Sequence, residues 1–192
     1  MHIPIWILKF NVNDYRCFSN TPEGQQTWLS WLDKAQAHRL FAAEWPLVTM
    51  TLFEGEIGEK RKEAKKPIPD FSKGYVFHAC SERAKKIVES IAPGEVDYLP
   101  INTSVGQYYD MNIHEIDCLD EDKSEIKRFK SSGRIMDVEK YALFWERLEG
   151  QHIFIIKKVG FTPIFVTDDF KELLESSNFP ELYFLPVPLA GE

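Results

Sequence analysis

Little in this sequence points to chemistry. There are three cysteines, Cys17, Cys80 and Cys118, an odd number with no two close together. That excludes a disulfide framework and a Cys-x-x-Cys signature, and it suits a reducing compartment. No run approaches the roughly 20 apolar residues of a membrane helix, so no membrane partner is expected. The opening apolar stretch, Ile3 to Phe10, is broken by Lys9 and lacks a basic leader and a small-residue cleavage site. It reads as a strand rather than a signal peptide, and a cytoplasmic protein is expected. Lys and Arg number 23 against 30 Asp and Glu, a net charge of −7. This balance disfavours direct binding of nucleic acid, which needs a basic surface to release counterions. It would instead steer the molecule toward a basic partner. Gly-x-Ser-x-Gly, a phosphate-cradling glycine loop and His-Glu-x-x-His are all missing, and no cofactor is expected.

What the sequence does have is aromatic and apolar residues. Hydrophobic residues make up 44% of 192, enough for a sizeable interior. The 14 Phe, 7 Tyr and 5 Trp must fill a core or furnish a binding face. After the first strand, Thr21-Pro22-Glu23 opens a helix with a capping residue, a proline at the first position and an acid in the first turn. Trp28, Leu29, Leu32, Ala35 and Arg39 continue it at helical spacing to about Leu40. Glu44 to Phe53 reads as a strand. These elements form an N-terminal strand–helix–strand portion, 1–54. Residues 55–68 are Gly- and Pro-flanked and densely charged, an exposed loop with almost nothing to bury.

An internal echo follows. Ser81-Glu82-Arg83-Ala84-Lys85-Lys86-Ile87-Val88-Glu89-Ser90 leads to Glu95-Val96-Asp97-Tyr98-Leu99-Pro100-Ile101. Thr167-Asp168-Asp169-Phe170-Lys171-Glu172-Leu173-Leu174-Glu175-Ser176 leads, without a gap, to Glu181-Leu182-Tyr183-Phe184-Leu185-Pro186-Val187. In each copy (81–101 and 167–187) a Ser or Thr caps a short helix and acids favour its positive end. A proline then closes the following strand. With a strand ahead of each helix, the pattern predicts two strand–helix–strand units whose crossovers could pair their strands in parallel. The fold class expected is α+β. It is a single domain, 1–192, with one mixed central β-sheet on which both units and the N-terminal helix pack.

Tyr108 to Asp117 reads as a strand, with Tyr109, Met111 and Ile113 on one face and Asp110, Asn112 and His114 on the other. Ile135 to Leu148 fits a strand or a helix equally well. Two pairs deserve weighing as catalysts. His78 and Cys80 could share a strand face, and Asp110 with His114 could perform acid–base work or bind metal. A buried cysteine at a strand end and a wet strand face are the commoner meanings. Glu115, Asp117, Asp120, Glu121, Asp122 and Glu125 form an acidic run that lacks the glycine and spacing of a calcium loop. It is a solvated turn or an electrostatic face for a basic partner. Asp110 and His114 could join that face, and Trp28 and Trp31, with Tyr108, Tyr109 and Trp145, are candidate interface anchors.

Pro69-Asp70-Phe71, Ser81-Glu82-Arg83, Tyr98-Leu99-Pro100-Ile101, Tyr108-Tyr109-Asp110-Met111-Asn112, Asp117-Cys118-Leu119-Asp120 with Lys123-Ser124-Glu125, His152-Ile153-Phe154, Pro163-Ile164-Phe165-Val166 and Leu185-Pro186-Val187 occur in an order that resembles the immunity-protein family numbered eleven among bacterial polymorphic-toxin systems. The resemblance covers about residues 69–187. It implies a small cytosolic protein, encoded beside a secreted toxin, that binds the toxin domain and blocks it. It brings no catalytic set. Two rivals stand beside that expectation: a small enzyme using His78/Cys80 or Asp110/His114, and an interaction module unconnected with toxins.

Overall fold

Alternating and β-branched runs become strands throughout the computed structural model, which describes residues 4–20, 47–53, 60–73, 77–159 and 163–191. In chain order the strands are β1 (Ile5–Phe10), β2 (Phe18–Asn20), β3 (Val48–Leu52), β4 (Phe71–Lys73), β5 (His78–Ser81), β6 (Val96–Asn102) and β7 (Tyr108–Ile113). They continue as β8 (Glu115–Ile116), β9 (Glu125–Arg128), β10 (Ile135–Lys140), β11 (Ile153–Ile156), β12 (Ile164–Thr167) and β13 (Leu182–Pro186). Two helices, α1 (Glu82–Ile91) and α2 (Asp168–Ser176), join a helical turn at Lys60–Glu63 and a 3-10 turn at Trp145–Arg147. The fold is α+β and mostly sheet. Its contacts fall into two compact units, one of residues 1–9, 91–96 and 113–192, the other of 10–90 and 97–112.

The first unit is built on a five-stranded sheet ordered β13-β1-β12-β11-β8. The register sets Ile5 opposite Thr167 and Ile7 opposite Phe165 across β1 and β12, and Phe154 opposite Phe165 across β11. These residues therefore share one face, where Ile5, Phe154, Ile156 and Phe165 pack with Cys118, Leu119, Val138, Tyr141, Leu143 and Leu148. The β9–β10 hairpin adds Ile126 and Ile135 to this cluster. The other face meets α2: Trp6 Nε1 donates to Asp168 Oδ1 at 2.9 Å, and Lys171 Nζ lies 4.6 Å from the Trp6 ring centroid.

The second unit has a six-stranded mixed sheet ordered β2-β3-β6-β7-β5-β4, with β3 and β6 parallel. Phe18, Val48, Met50, Leu52, Phe77, Ala79, Ile101 and Tyr108 form its core. On the face carrying Tyr98 and Tyr109, Lys85 of α1 sits 4.5 Å from the Tyr109 ring centroid and Glu82 accepts the Tyr109 hydroxyl at 2.6 Å.

Several expectations change. One central sheet carrying two strand–helix–strand units is not supported: α1 follows a strand of the six-stranded sheet, and α2 one of the five-stranded sheet. The strands flanking each helix do not pair with each other. β7 lies between β5 and β6, and β1 lies between β12 and β13. A short crossover favours adjacency, but an apolar strand inserted between buries more surface on both sides. The helix expected from Thr21 lies outside the described residues; the first described helix longer than a turn is α1. In 55–68, Lys62, Ala64, Lys65, Pro67 and Ile68 are exposed, whereas Glu63 is buried and pairs with Lys66 at 2.7 Å. The ambiguous stretch 135–148 divides into β10 and the 3-10 turn. Ser81 Oγ accepts the Ala84 N–H at 3.1 Å, as an N-cap should. Thr167 makes no side-chain cap, and Asp169 Oδ1 takes the Phe170 N–H at 2.9 Å instead.

Candidate functional site

The acidic run is held largely by its own cations. Asp120 is 8% exposed and anchors a turn: its backbone N–H donates to Ala142 O at 2.9 Å, and its carbonyl accepts Ser124 Oγ at 2.7 Å. Lys123 Nζ stands 3.1 Å from its carboxylate and, with the backbone N–H of Lys123, holds it below the usual range. Glu121 receives Lys158 at 2.9 Å and Arg128 at 2.6 Å, which lower its pKa in that order. Glu125 pairs with Lys140 at 2.8 Å. Asp117 and Asp122 are exposed and form no ion pair among the described residues. The run thus contributes less free negative charge than its sequence suggests.

The first pair of catalytic candidates is buried, and Asp110 and His114 are half-buried. His78 is 6% exposed and Cys80 0%. Burial pushes the Cys80 thiol far up, with Asp110 adding to it, and pushes the His78 imidazole down to about 4. A neutral thiol without access is not a nucleophile. Asp110 Oδ1 accepts the His78 backbone N–H at 3.2 Å, and burial raises its carboxyl to about 7. His114 is engaged through its backbone, donating to Glu95 O at 3.0 Å and accepting from the Ile155 N–H at 3.1 Å. Tyr108 is buried, with its hydroxyl donating to Pro69 O at 2.8 Å. Trp28 and Trp31 lie outside the described residues. No group of three or more His, Cys, Asp or Glu among the described residues is arranged to hold a metal.

A carboxylate–imidazole cluster escaped the sequence reading. Buried Glu95 accepts the backbone N–H groups of His152 (2.7 Å) and Ile153 (2.9 Å), and its other oxygen lies 2.8 Å from His152 Nδ1. Across the ring, Nε2 is 3.6 Å from Asp169 Oδ2. The Thr167 hydroxyl bonds the other Asp169 oxygen. The one legible signal was the echo, which sets Glu95 level with Glu181; both are buried.

The first unit also has an apolar cleft of about 280 Å³ lined by Ile5, Trp145, Glu146, Leu148, Glu149, Phe154 and Thr167. Trp145 was an expected anchor, whereas the glutamates of the 3-10 turn and its exit carried no periodic signal. The described surface further exposes Phe129 and Met136 on the β9–β10 hairpin. Lys130 and Arg134 there form no ion pair among the described residues.

The family model described as an immunity protein family (Imm11) matches residues 24–188. The chain belongs to this family. The match begins well before residue 69, so residues 24–68 are part of the family pattern as well. A search of curated proteins found no match. No helix among the described residues is long and apolar enough to cross a membrane.

Proposed function

We propose that this chain neutralises a cognate toxin domain by binding it one to one and occluding it, without turnover. The observation that carries the reading is the immunity-family match over residues 24–188. The burial of Cys80 and His78 supports it over the enzyme reading, because neither group is exposed to a substrate. Three free cysteines suit a cytoplasmic protein, where the toxin would act on the producing cell. A net charge of −7 favours a basic toxin. The test is co-expression with the toxin domain encoded beside it. Growth rescue and a co-purifying complex of equal stoichiometry are expected; a toxin domain that kills regardless, with no complex, rejects the reading. Rescue retained by an H78A/C80A variant that still folds separates binding from chemistry at that pair.

A further inference from the structure

The cleft beside the 3-10 turn has a chemistry of its own. Register puts Ile5 and Thr167 opposite one another at one margin of the five-stranded sheet, on the face that also carries Phe154. Over most of this face the chain from Cys118 to Leu148 covers the apolar side chains. At the margin a cleft remains, floored by side chains that are themselves buried. Trp145 and Leu148 make a wall, and Ile5, Phe154 and Thr167 belong to the strands beneath. Glu146 and Glu149 stand exposed at the mouth, and neither forms an ion pair among the described residues.

We propose that this cleft receives one lysine or arginine side chain of the toxin domain, an assignment that rests on the neutralisation reading above. A long basic side chain has the two parts the cleft asks for. Its methylene stem packs on apolar walls while its charged head stays at a polar rim. Trp145 offers an aromatic face, and two carboxylates match a guanidinium fork or an ammonium. A phenylalanine or leucine would desolvate Glu146 and Glu149 without compensation. An acidic side chain would be repelled. The overall charge of −7 draws a basic surface toward the protein before docking.

The test is titration calorimetry of the full chain against the purified, catalytically inactivated toxin domain of the neighbouring gene. E146Q/E149Q and E146K/E149K are compared with wild type. Glu172→Lys, at an exposed position of α2, controls for a general charge effect. The Gln pair is expected to weaken binding about tenfold and the Lys pair about 100-fold or more, with the control near wild type. Both pairs sit at exposed positions, and unchanged melting temperatures show that they fold. An alanine scan of the toxin's basic residues should then find one whose loss matters in wild type and not in the Gln background. Wild-type affinity in both pairs overturns the cleft assignment and leaves neutralisation standing. Absence of binding by wild type itself overturns neutralisation and the cleft assignment with it. Self-association of the chain that the Lys pair abolishes would make the occupant a second copy, which also overturns the proposal.

Discussion

Lys85 and Lys171, at matching positions of the sequence echo, each hold an ammonium over two aromatic rings. Lys85 Nζ lies 5.2 Å from the Tyr98 centroid and 4.5 Å from that of Tyr109, while Lys171 Nζ lies 4.6 Å from Trp6 and 6.0 Å from Phe184. Tyr98 and Phe184 are themselves matching positions, and the second ring in each case comes from the strand inserted beside the helix. Lys85→Met and Lys171→Met keep the stem and remove the charge. Each should cost about 0.5–1 kcal/mol in urea unfolding. A loss at one site with none at the other would mean that the two contacts are not energetically equivalent.

Glu95 is a buried acid of the first unit that serves three donors. Glu95→Ala strips the acceptor from two backbone N–H groups and an imidazole in a largely buried site. The expected destabilisation is about 3 kcal/mol, well above the cost of a surface substitution. Denaturant midpoints with an unchanged m-value measure it. A loss below half a kcal/mol would show that water or another group takes over those donors.

Asp110 and His78 titrate in opposition. Unfolded, their reference values are 3.8 and 6.5; folded, burial moves Asp110 up to about 7 and His78 down to about 4. Between pH 4 and 6.5 the unfolded chain holds the extra proton at His78, which makes stability rise with pH. Over the same window the folded chain holds the extra proton at Asp110, which makes stability fall, and that fall continues to about pH 7. Asp110→Asn removes the fall alone. Its stability should climb more steeply than wild type from pH 4 to 6.5, as urea midpoints at several pH values would reveal. Parallel profiles for the two proteins would contradict this assignment.

Thiol labelling should follow burial. Cys17 is half-buried, while Cys80 and Cys118 are fully buried and burial pushes both thiols up, Cys118 to about 12. A maleimide added to the native protein should modify Cys17 first, with the other two reacting only on unfolding. Mass spectrometry of the digest assigns the sites. Early modification of Cys80 would revive the enzyme reading.

The hairpin tip is fixed by Phe129 donating to Arg134 O and accepting from Gly133, both at 2.9 Å, with Gly133 at φ +69° as the turn requires. Phe129 and Met136 are 49% and 51% exposed. Phe129→Ser with Met136→Ser should leave stability within about 0.5 kcal/mol. A larger fall in the melting curve would show that these side chains pack more tightly than their exposure indicates.

What could be read from the sequence was local. β1, β3, β7, β11 and both described helices follow local apolar patterning and proline stops, with the Ser81 cap at the first helix, all of which act within a few positions. Partnering across distance was not legible. β1 and β7 were visible as strands, but nothing in their residues says that they slot between strands flanking a helix. Glu95 and His152 are too far apart for any spacing rule. The acidic run looked like a free surface because its cations, Arg128, Lys140 and Lys158, come from later segments. Trp145 stood out as an anchor by residue type, while Glu146 and Glu149 gained meaning only when Ile5 and Phe154 arrived beneath them.

The place of β1 in its sheet governs how the molecule can be made. Its neighbours β12 and β13 begin at Ile164 and Leu182, so during translation this apolar strand emerges far ahead of both. Long-range pairing of this kind slows folding and leaves a sticky edge waiting. Nascent chains truncated before Ile164 should therefore engage chaperones or aggregate.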